Sequence, residues 1–288
     1  MAYYVMKIFS RCMCALPFEV RYLLGNLLGN LFWCVVPAKR KRMAIANISH
    51  SLYLGEPEAT QVAKKSTTRF GAMLMDVIAY PLLNQGNINE FVEIEGKEYL
   101  TDALALGRGV IVSTAHSGNW ELFGAAMALN GFPVVGVAQK QTSASMDRFI
   151  NEYRSMSGMQ PVYKTGVRDM IRLLDDGKII GLIMDQDAGR AGVFVNFFGE
   201  PASTPTGPAV LSRLKDSPIV PGFITSTEIG KHKIIFHKPL FIEKSADKEK
   251  DVFVVTEKLT RIIEDHIRQY PHEWFWLHNR WKHKPQNE

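Results

Sequence analysis

The sequence predicts an α/β protein, a mixed, largely parallel central sheet flanked by helices, with an N-terminal helical segment that associates with membranes. Three observations predict it. From residue 91 onward, short runs of β-formers alternate with helical patterns of about ten residues. Gly107, Gly131 and Gly177 close three of those patterns, as a helix C-terminus favours. The first 50 residues, in contrast, are apolar and basic with helical spacing throughout.

Taken in order, residues 2–50 read as helices broken at Pro17 and Pro37. The uncharged run Leu23–Val36 is 14 residues long and carries Asn26 and Asn30. It falls short of the roughly 20 apolar residues a bilayer span needs. Lys39-Arg40-Lys41-Arg42 follows directly. An apolar helix ahead of four basic residues suits the cytoplasmic face of a membrane rich in anionic lipids. Residues 1–50 are therefore expected to form a membrane-associating segment, and residues 51–288 the α/β domain. A buried helix followed by solvated charges is the alternative, and spanning versus lying in the interface stays open. No cleavable signal is convincing, because Glu19 and Arg21 interrupt the apolar patch.

Glu56 to about Leu83 has helical spacing, ended by Asn84-Gln85-Gly86-Asn87. Phe91–Ile94 then reads as a strand, Lys97–Leu106 as a helix, Val110–Val112 as a buried strand and Trp120–Leu129 as a helix. Pro133–Val137 is the next strand, Ser145–Met156 and Val167–Leu174 are helices, and Ile179–Met184 is a strand. Ile219–Thr225 and Lys231–Phe236 look like neighbouring strands, which makes the sheet mixed. Asp251–Gln269 is a last amphipathic helix before a tryptophan-rich tail.

Of 288 residues, 46% are hydrophobic and 22% charged, which suits a packed core and excludes intrinsic disorder. A net charge of +5 favours anionic partners. Nucleic acid is not expected among them, because basic and aromatic residues do not interleave along one strand face. Cys12, Cys14 and Cys34 cluster near the start, which argues against a disulfide framework and for a reducing compartment.

The chemistry concentrates in Ser113-Thr114-Ala115-His116-Ser117-Gly118-Asn119-Trp120-Glu121. A histidine with an acid five residues on is weak evidence by itself. With eight histidines and 29 acids, chance supplies about one such pair, and His283–Glu288 is a second example. Position adds weight, since His116 follows a buried strand, the edge where open α/β sheets place their sites. Residues five apart on one helix point away from each other. Glu121 can therefore meet the imidazole only if His116 lies outside the helix, which the Ser-Gly-Asn turn permits. A carboxylate on one ring nitrogen fixes the tautomer and leaves the other to take a proton. A histidine that merely caps a helix is the bland alternative.

Together "HSGNWE", "RFINEYRSMSG", "LIMDQDAG", "GVFVNFFGEPASTPTGPA" and "WFWLHNRWKHKP" resemble the lipid A biosynthesis acyltransferase family. These are late, lauroyl- or myristoyl-type enzymes within the His-x4-Asp/Glu lysophospholipid and glycerolipid acyltransferase superfamily. The resemblance runs over about residues 5–285. It implies acyl transfer from a thioester, usually acyl carrier protein, to a hydroxyl of a membrane lipid, with His116 as general base and Glu121 as its partner. It also associates Arg154 with the site. Gln139-Lys140 stands where relatives tend to carry an Arg-Pro-like pair, which weakens transfer of acceptor specificity.

The remaining blocks keep two readings each. Arg154 serves a phosphate or oxyanion, or makes a surface ion pair. Asp185 and Asp187, after the strand 179–184, share the edge of His116 if the sheet is parallel. They are expected to position substrate or structure rather than catalyse. Ser117 and Asn119 of the turn join Arg154, Asp185 and Asp187 as candidate substrate-binding residues. Phe194–Phe198 lines an acyl tunnel or packs in the core. Thr204–Pro208 opens a helix with a hydroxyl cap and an early proline. The tail tryptophans Trp274, Trp276 and Trp281 lie at a membrane interface or pack on the domain.

The expectation is a membrane-associated O-acyltransferase at the cytoplasmic face of the inner membrane. Its donor is an acyl carrier protein thioester or acyl-CoA, and its acceptor is a lipid A precursor or related glycolipid. Neither cofactor nor metal is expected. The rivals are a metal-assisted hydrolase using His116, Glu121, Asp185 and, as a further ligand, Asp187, and a non-enzymatic lipid-binding protein.

Overall fold

The computed structural model describes residues 1–138, 141–163 and 167–285. Gln139-Lys140 and Glu288, singled out from sequence, lie outside the described residues.

Three helices open the chain, α1 (Ala2–Cys14), α2 (Phe18–Val35) and α3 (Ala38–Leu52), with Pro17 and Pro37 at the N-caps of the second and third. Proline has no N–H to give, so it suits a helix start and ends the helix before it. Next comes α4 (Glu56–Ile78), shorter than its spacing suggests because Tyr80–Leu82 tightens into a 3₁₀ turn around Pro81. The α/β part then runs α5 (Ile88–Phe91), β1 (Val92–Glu95), α6 (Lys97–Ala105), β2 (Val110–Thr114), α7 (Trp120–Leu129) and β3 (Val134–Ala138). It continues α8 (Ala144–Met156), β4 (Gln160–Tyr163), α9 (Val167–Asp175) and β5 (Ile179–Ile183). A hairpin, β6 (Val193–Phe197) and β7 (Glu200–Thr204), precedes α10 (Gly207–Lys215), β8 (Ile219–Glu228), β9 (Lys231–Phe236) and α11 (Lys248–Gln269).

Seven strands form one sheet in the order β1-β9-β8-β2-β5-β3-β4. The run β8-β2-β5-β3-β4 is parallel, and β9 turns antiparallel against β8 with β1 parallel to it. The mixed, largely parallel sheet read from sequence is therefore the fold. Two elements escaped that reading. β4 is a four-residue edge strand whose Pro161 argues against a strand. The β6–β7 hairpin turns on Phe198 and Gly199, both at positive φ (54° and 85°). Such a turn normally carries asparagine or aspartate first, so phenylalanine hid it. Phe198 is held there by its N–H to Glu264 Oε2 (2.7 Å) and by Arg268 over its ring.

The N-terminal helices pack onto this core. Where α2 crosses α4 the backbones touch: a Cβ on Gly29 would lie 1.8 Å from the Thr68 carbonyl oxygen, and one on Gly71 1.9 Å from that of Gly25. Small residues four apart let helices approach this closely. Val36, Ala44 and Ile48 join the buried core on one face of the sheet. The outer faces of α1 and α2 stay bare, exposing Tyr4, Val5, Ile8, Leu23, Leu27, Leu31 and Val35. Among the described residues no helix is long and apolar enough to cross a membrane.

For the tail, packing is what the fold uses: Trp274 and Trp276 are fully buried. Phe197 and Phe198 are core residues too, stacked edge-on or tilted against those tryptophans. The hydroxyl cap expected for α10 is absent, since Thr206 makes no side-chain cap bond. Thr204 instead accepts a hydrogen bond from buried Arg280.

Candidate active site

β2 and β5 are parallel neighbours in register, Thr114 opposite Ile183. Two residues past each strand end, His116 and Asp185 therefore leave the same sheet edge side by side. Asp185, 1% exposed in its side chain, accepts the His116 ring at Nδ1 (Oδ1, 2.8 Å). Its other oxygen accepts the His116 backbone N–H (2.9 Å) and the Trp274 indole N–H (2.6 Å). Three bonds to one carboxylate leave the ring a single orientation. Nε2 has no hydrogen-bond partner among the described residues, and the ring is 22% exposed.

The sequence pointed to Glu121 as the carboxylate on the imidazole; the geometry gives that place to Asp185. His116 does lie ahead of α7, as the spacing required, with Asn119 as the N-cap. Glu121, in the first turn, faces Arg154 instead, which grips it with Nε (2.9 Å) and Nη2 (2.6 Å). So Arg154 is neither on the surface nor a free cation: it forms a bidentate, largely buried pair with Glu121. Removing one partner strands the other charge. Glu121→Gln and Arg154→Met should each cost about 1–3 kcal/mol, and the double variant no more than the worse single one. Thermal melts of the three proteins check this.

Ser117 and Asn119 turn inward. Ser117 Oγ bonds His266 Nε2 (3.1 Å), and Asn119 accepts from the Leu122 N–H while its amide donates to Asp76 (3.0 Å). Between them Gly118 sits at φ 58°, and a Cβ there would meet the Ile224 carbonyl oxygen at 2.0 Å. Asp187 faces away from His116, to the tail, where it accepts the His283 ring (2.6 Å). Asp185 and Asp187 hold neither Arg154 nor Arg190. Among the described residues no three His, Cys, Asp or Glu side chains converge as a metal site needs.

Two groups that the sequence reading missed complete the turn. The tail crosses it as a strap, Phe275 N–H donating to the His116 carbonyl (3.1 Å) and Gly118 N–H to the Glu273 carbonyl (3.0 Å). From α4, Arg69 donates to the Gly118 carbonyl (2.6 Å) and lies over the rings of Phe70 and Trp120. Neither residue has a local sequence signal, since each reaches the turn from a distant part of the chain.

These charges set the titration. Burial, the largest influence on His116, favours the neutral ring. Asp185, by charge and hydrogen bond, outweighs it and raises the pKa above 6.5; Arg69 opposes and Glu121 assists. Burial pushes Asp185 up, but the His116 charge and the bonds it accepts hold it below 3.8. A base must be neutral to accept a proton, so activity should fall as pH drops through a value above 6.5. Arg69→Met removes a charge that favours the neutral ring and should move that limb higher still. Its kcat/KM profile, compared with wild type, tests the sign.

Next to Trp120 runs a narrow cleft between α7 and strands β2, β5 and β3. Trp120, whose ring stands edge-on to the imidazole, forms one wall, and Glu121–Arg154 sits in its lining. The rest is apolar: Val112, Phe123, Met127, Val135, Met159 and Ile183 among others. A Cβ on Gly181, in the β5 wall, would meet nothing within 4 Å, so that glycine leaves the cleft its width.

The fixed imidazole thus stands against Trp120, one wall of a largely apolar cleft. The chain belongs to the bacterial lipid A biosynthesis acyltransferase family, whose model matches residues 1–283. It is an acyltransferase. It is 26% identical over 79% of its length to a phosphatidylinositol mannoside acyltransferase of Mycolicibacterium smegmatis, covering 76% of that protein. It is 24% identical over 95% of its length to the lipid A biosynthesis palmitoleoyltransferase of Escherichia coli K12, covering 88% of it. The lauroyltransferase of the same organism is 26% identical, over 94% of this chain and 88% of that one.

Proposed function

We propose that this protein transfers a fatty acyl chain from a thioester, carried by acyl carrier protein or CoA, to a hydroxyl of a lipid A precursor or a related glycolipid. The observation that carries the reading is His116: its ring is bound at Nδ1 to Asp185 and stands edge-on to Trp120, a wall of the apolar cleft. In this scheme Nε2 takes the proton of the acceptor hydroxyl as its oxygen attacks the thioester carbonyl. The tetrahedral intermediate collapses, the C–S bond breaks, and the imidazolium returns its proton to the leaving thiolate. No acyl-enzyme forms. First-turn N–H groups of α7, which have no intrahelical acceptor, stabilise the oxyanion. Asp185 compensates the imidazolium, and Glu121–Arg154 fixes the first turn of α7. Ser117 and Asn119 act by holding the turn.

The acyl chain occupies the α7 cleft in this reading. Gly181→Val would then shorten the preferred chain, since each methylene kept out of an apolar site loses about 0.8 kcal/mol, roughly fourfold. Competition between thioesters of different length, read as product ratios, checks it. The bare apolar faces of α1 and α2, with Lys39-Arg40-Lys41-Arg42 behind them, support residues 1–50 as the segment that seats the enzyme in the cytoplasmic face of the inner membrane. The +5 charge suits an acidic carrier protein, anionic lipid or CoA alike.

The test offers detergent-purified protein a set of acyl carrier protein and CoA thioesters with several lipid acceptors, in EDTA, with products read by mass spectrometry. An acylated glycolipid formed in EDTA is the expected result. Product only after metal is restored would support the hydrolase-type site instead. Absence of turnover with every donor, alongside tight lipid binding, would favour the non-enzymatic alternative.

A further inference from the structure

A second cavity lies between α2, α4 and the β8–β9 turn. Its walls are apolar, with Tyr22, Met75, Leu83, Phe91 and Leu122 among them. The Phe18 ring lies against Gly230, where a Cβ would come within 2.3 Å of it, so the start of α2 rests on the β8–β9 turn. Arg21, one turn along α2, donates to the Leu16 carbonyl (3.0 Å), and His232 lies two residues past Gly230. Both line the cavity.

His232 is 9% exposed, and its Nδ1 is buried with no hydrogen-bond partner among the described residues. Its Nε2 faces Asp76 (3.4 Å), whose carboxylate also accepts from Asn119. A buried ring nitrogen left bare costs free energy that a ligand oxygen would recover. Met75 is shared with an almost wholly apolar groove lined by Phe9, Met13, Leu24, Leu27, Leu28 and Leu31. That groove opens on the exposed faces of α1 and α2.

We propose that this cavity is a second lipid site, which holds one fatty acid with its carboxyl group at Arg21 and His232 and its chain running past Met75 toward the α1–α2 groove. The lining suits a single alkyl chain with a polar head: mostly apolar side chains, with Arg21 and His232 among them. The site does not rest on the role given to His116. It shares Asp76 with the catalytic turn, because the same carboxylate meets His232 and Asn119.

The experiment uses full-length protein and a hexadecanoic acid with a diazirine midway along its chain. Photolabelled peptides are mapped by mass spectrometry, with unlabelled hexadecanoic acid as competitor. Saturable, competable label on residues 72–83 is expected, equally in wild type and His116→Ala. Ala79→Phe, which fills the cavity, should reduce that label at least tenfold while label in the α7 cleft persists. His232→Phe keeps the ring volume, removes the polar group, and should reduce it at least threefold. Label confined to the α7 cleft or to the outside of α1 and α2 would overturn the proposal. Unchanged labelling of residues 72–83 in both folded variants would do the same.

Discussion

Asp185→Asn should lower kcat by about 10³-fold or more while the protein stays folded. The reason is the direction of three hydrogen bonds. Oδ2 of Asp185 accepts from two fixed donors, the His116 backbone N–H and the Trp274 indole. An asparagine must keep its carbonyl oxygen there, because its NH₂ would face two donors. The NH₂ then points at Nδ1 of His116, which must accept. The ring proton moves to Nε2, and the nitrogen that should take the acceptor's proton already carries one. His116→Ala should lose a similar factor by removing the base outright. Glu121→Gln should lose less, because it leaves the imidazole's own partner in place. A steady-state acyl-transfer assay ranks the three, and an Asp185→Asn enzyme within tenfold of wild type would contradict the tautomer argument.

Gly71→Ala should destabilise the fold by about 3 kcal/mol, lowering Tm by roughly 6–12 °C. Helix propensity alone predicts the opposite sign, since alanine is favoured over glycine in a helix by about 1 kcal/mol. The crossing of α2 and α4 reverses it: the new methyl would stand 1.9 Å from the Gly25 carbonyl oxygen and 2.5 Å from the Gly29 nitrogen. Backbone atoms cannot step aside as a side chain can, so the helices must separate and unpack the Arg69-bearing stretch of α4. A neutral or stabilising substitution in a thermal melt would show that the two helices are not in backbone contact.

Much of the architecture was legible because it depends on local pattern. The breaks at Pro17 and Pro37, the glycine stops at residues 107, 131 and 177, and the buried run Val110–Val112 are properties of neighbours in sequence. What escaped depends on partners far along the chain. The β6–β7 hairpin needs Glu264 and Arg268 to hold Phe198 in a glycine-like conformation. The helical crossing was written in Gly25, Gly29 and Gly71, yet the asparagines between them drew attention instead. At the site, the histidine, the acids and Arg154 were all visible, but not which acid meets which base. Sequence proximity favoured Glu121, five residues away. The parallel pairing of β2 with β5 brings Asp185 nearer, across 69 residues of chain. Trp274 was singled out, but not as a partner of Asp185, and Arg69 carried no signal of its own, because only the folded tail and α4 bring them to the turn.

The central claim is that Asp185, not Glu121, holds His116 with Nδ1 protonated and Nε2 bare. The ring ¹⁵N shifts of His116, measured by long-range ¹H–¹⁵N correlation at a pH where the ring is neutral, read the tautomer directly. A proton on Nδ1 is expected in wild type and in Glu121→Gln, and on Nε2 in Asp185→Asn. An Nε2-protonated ring in wild type, or a tautomer that switches with Glu121→Gln and ignores Asp185→Asn, would contradict it.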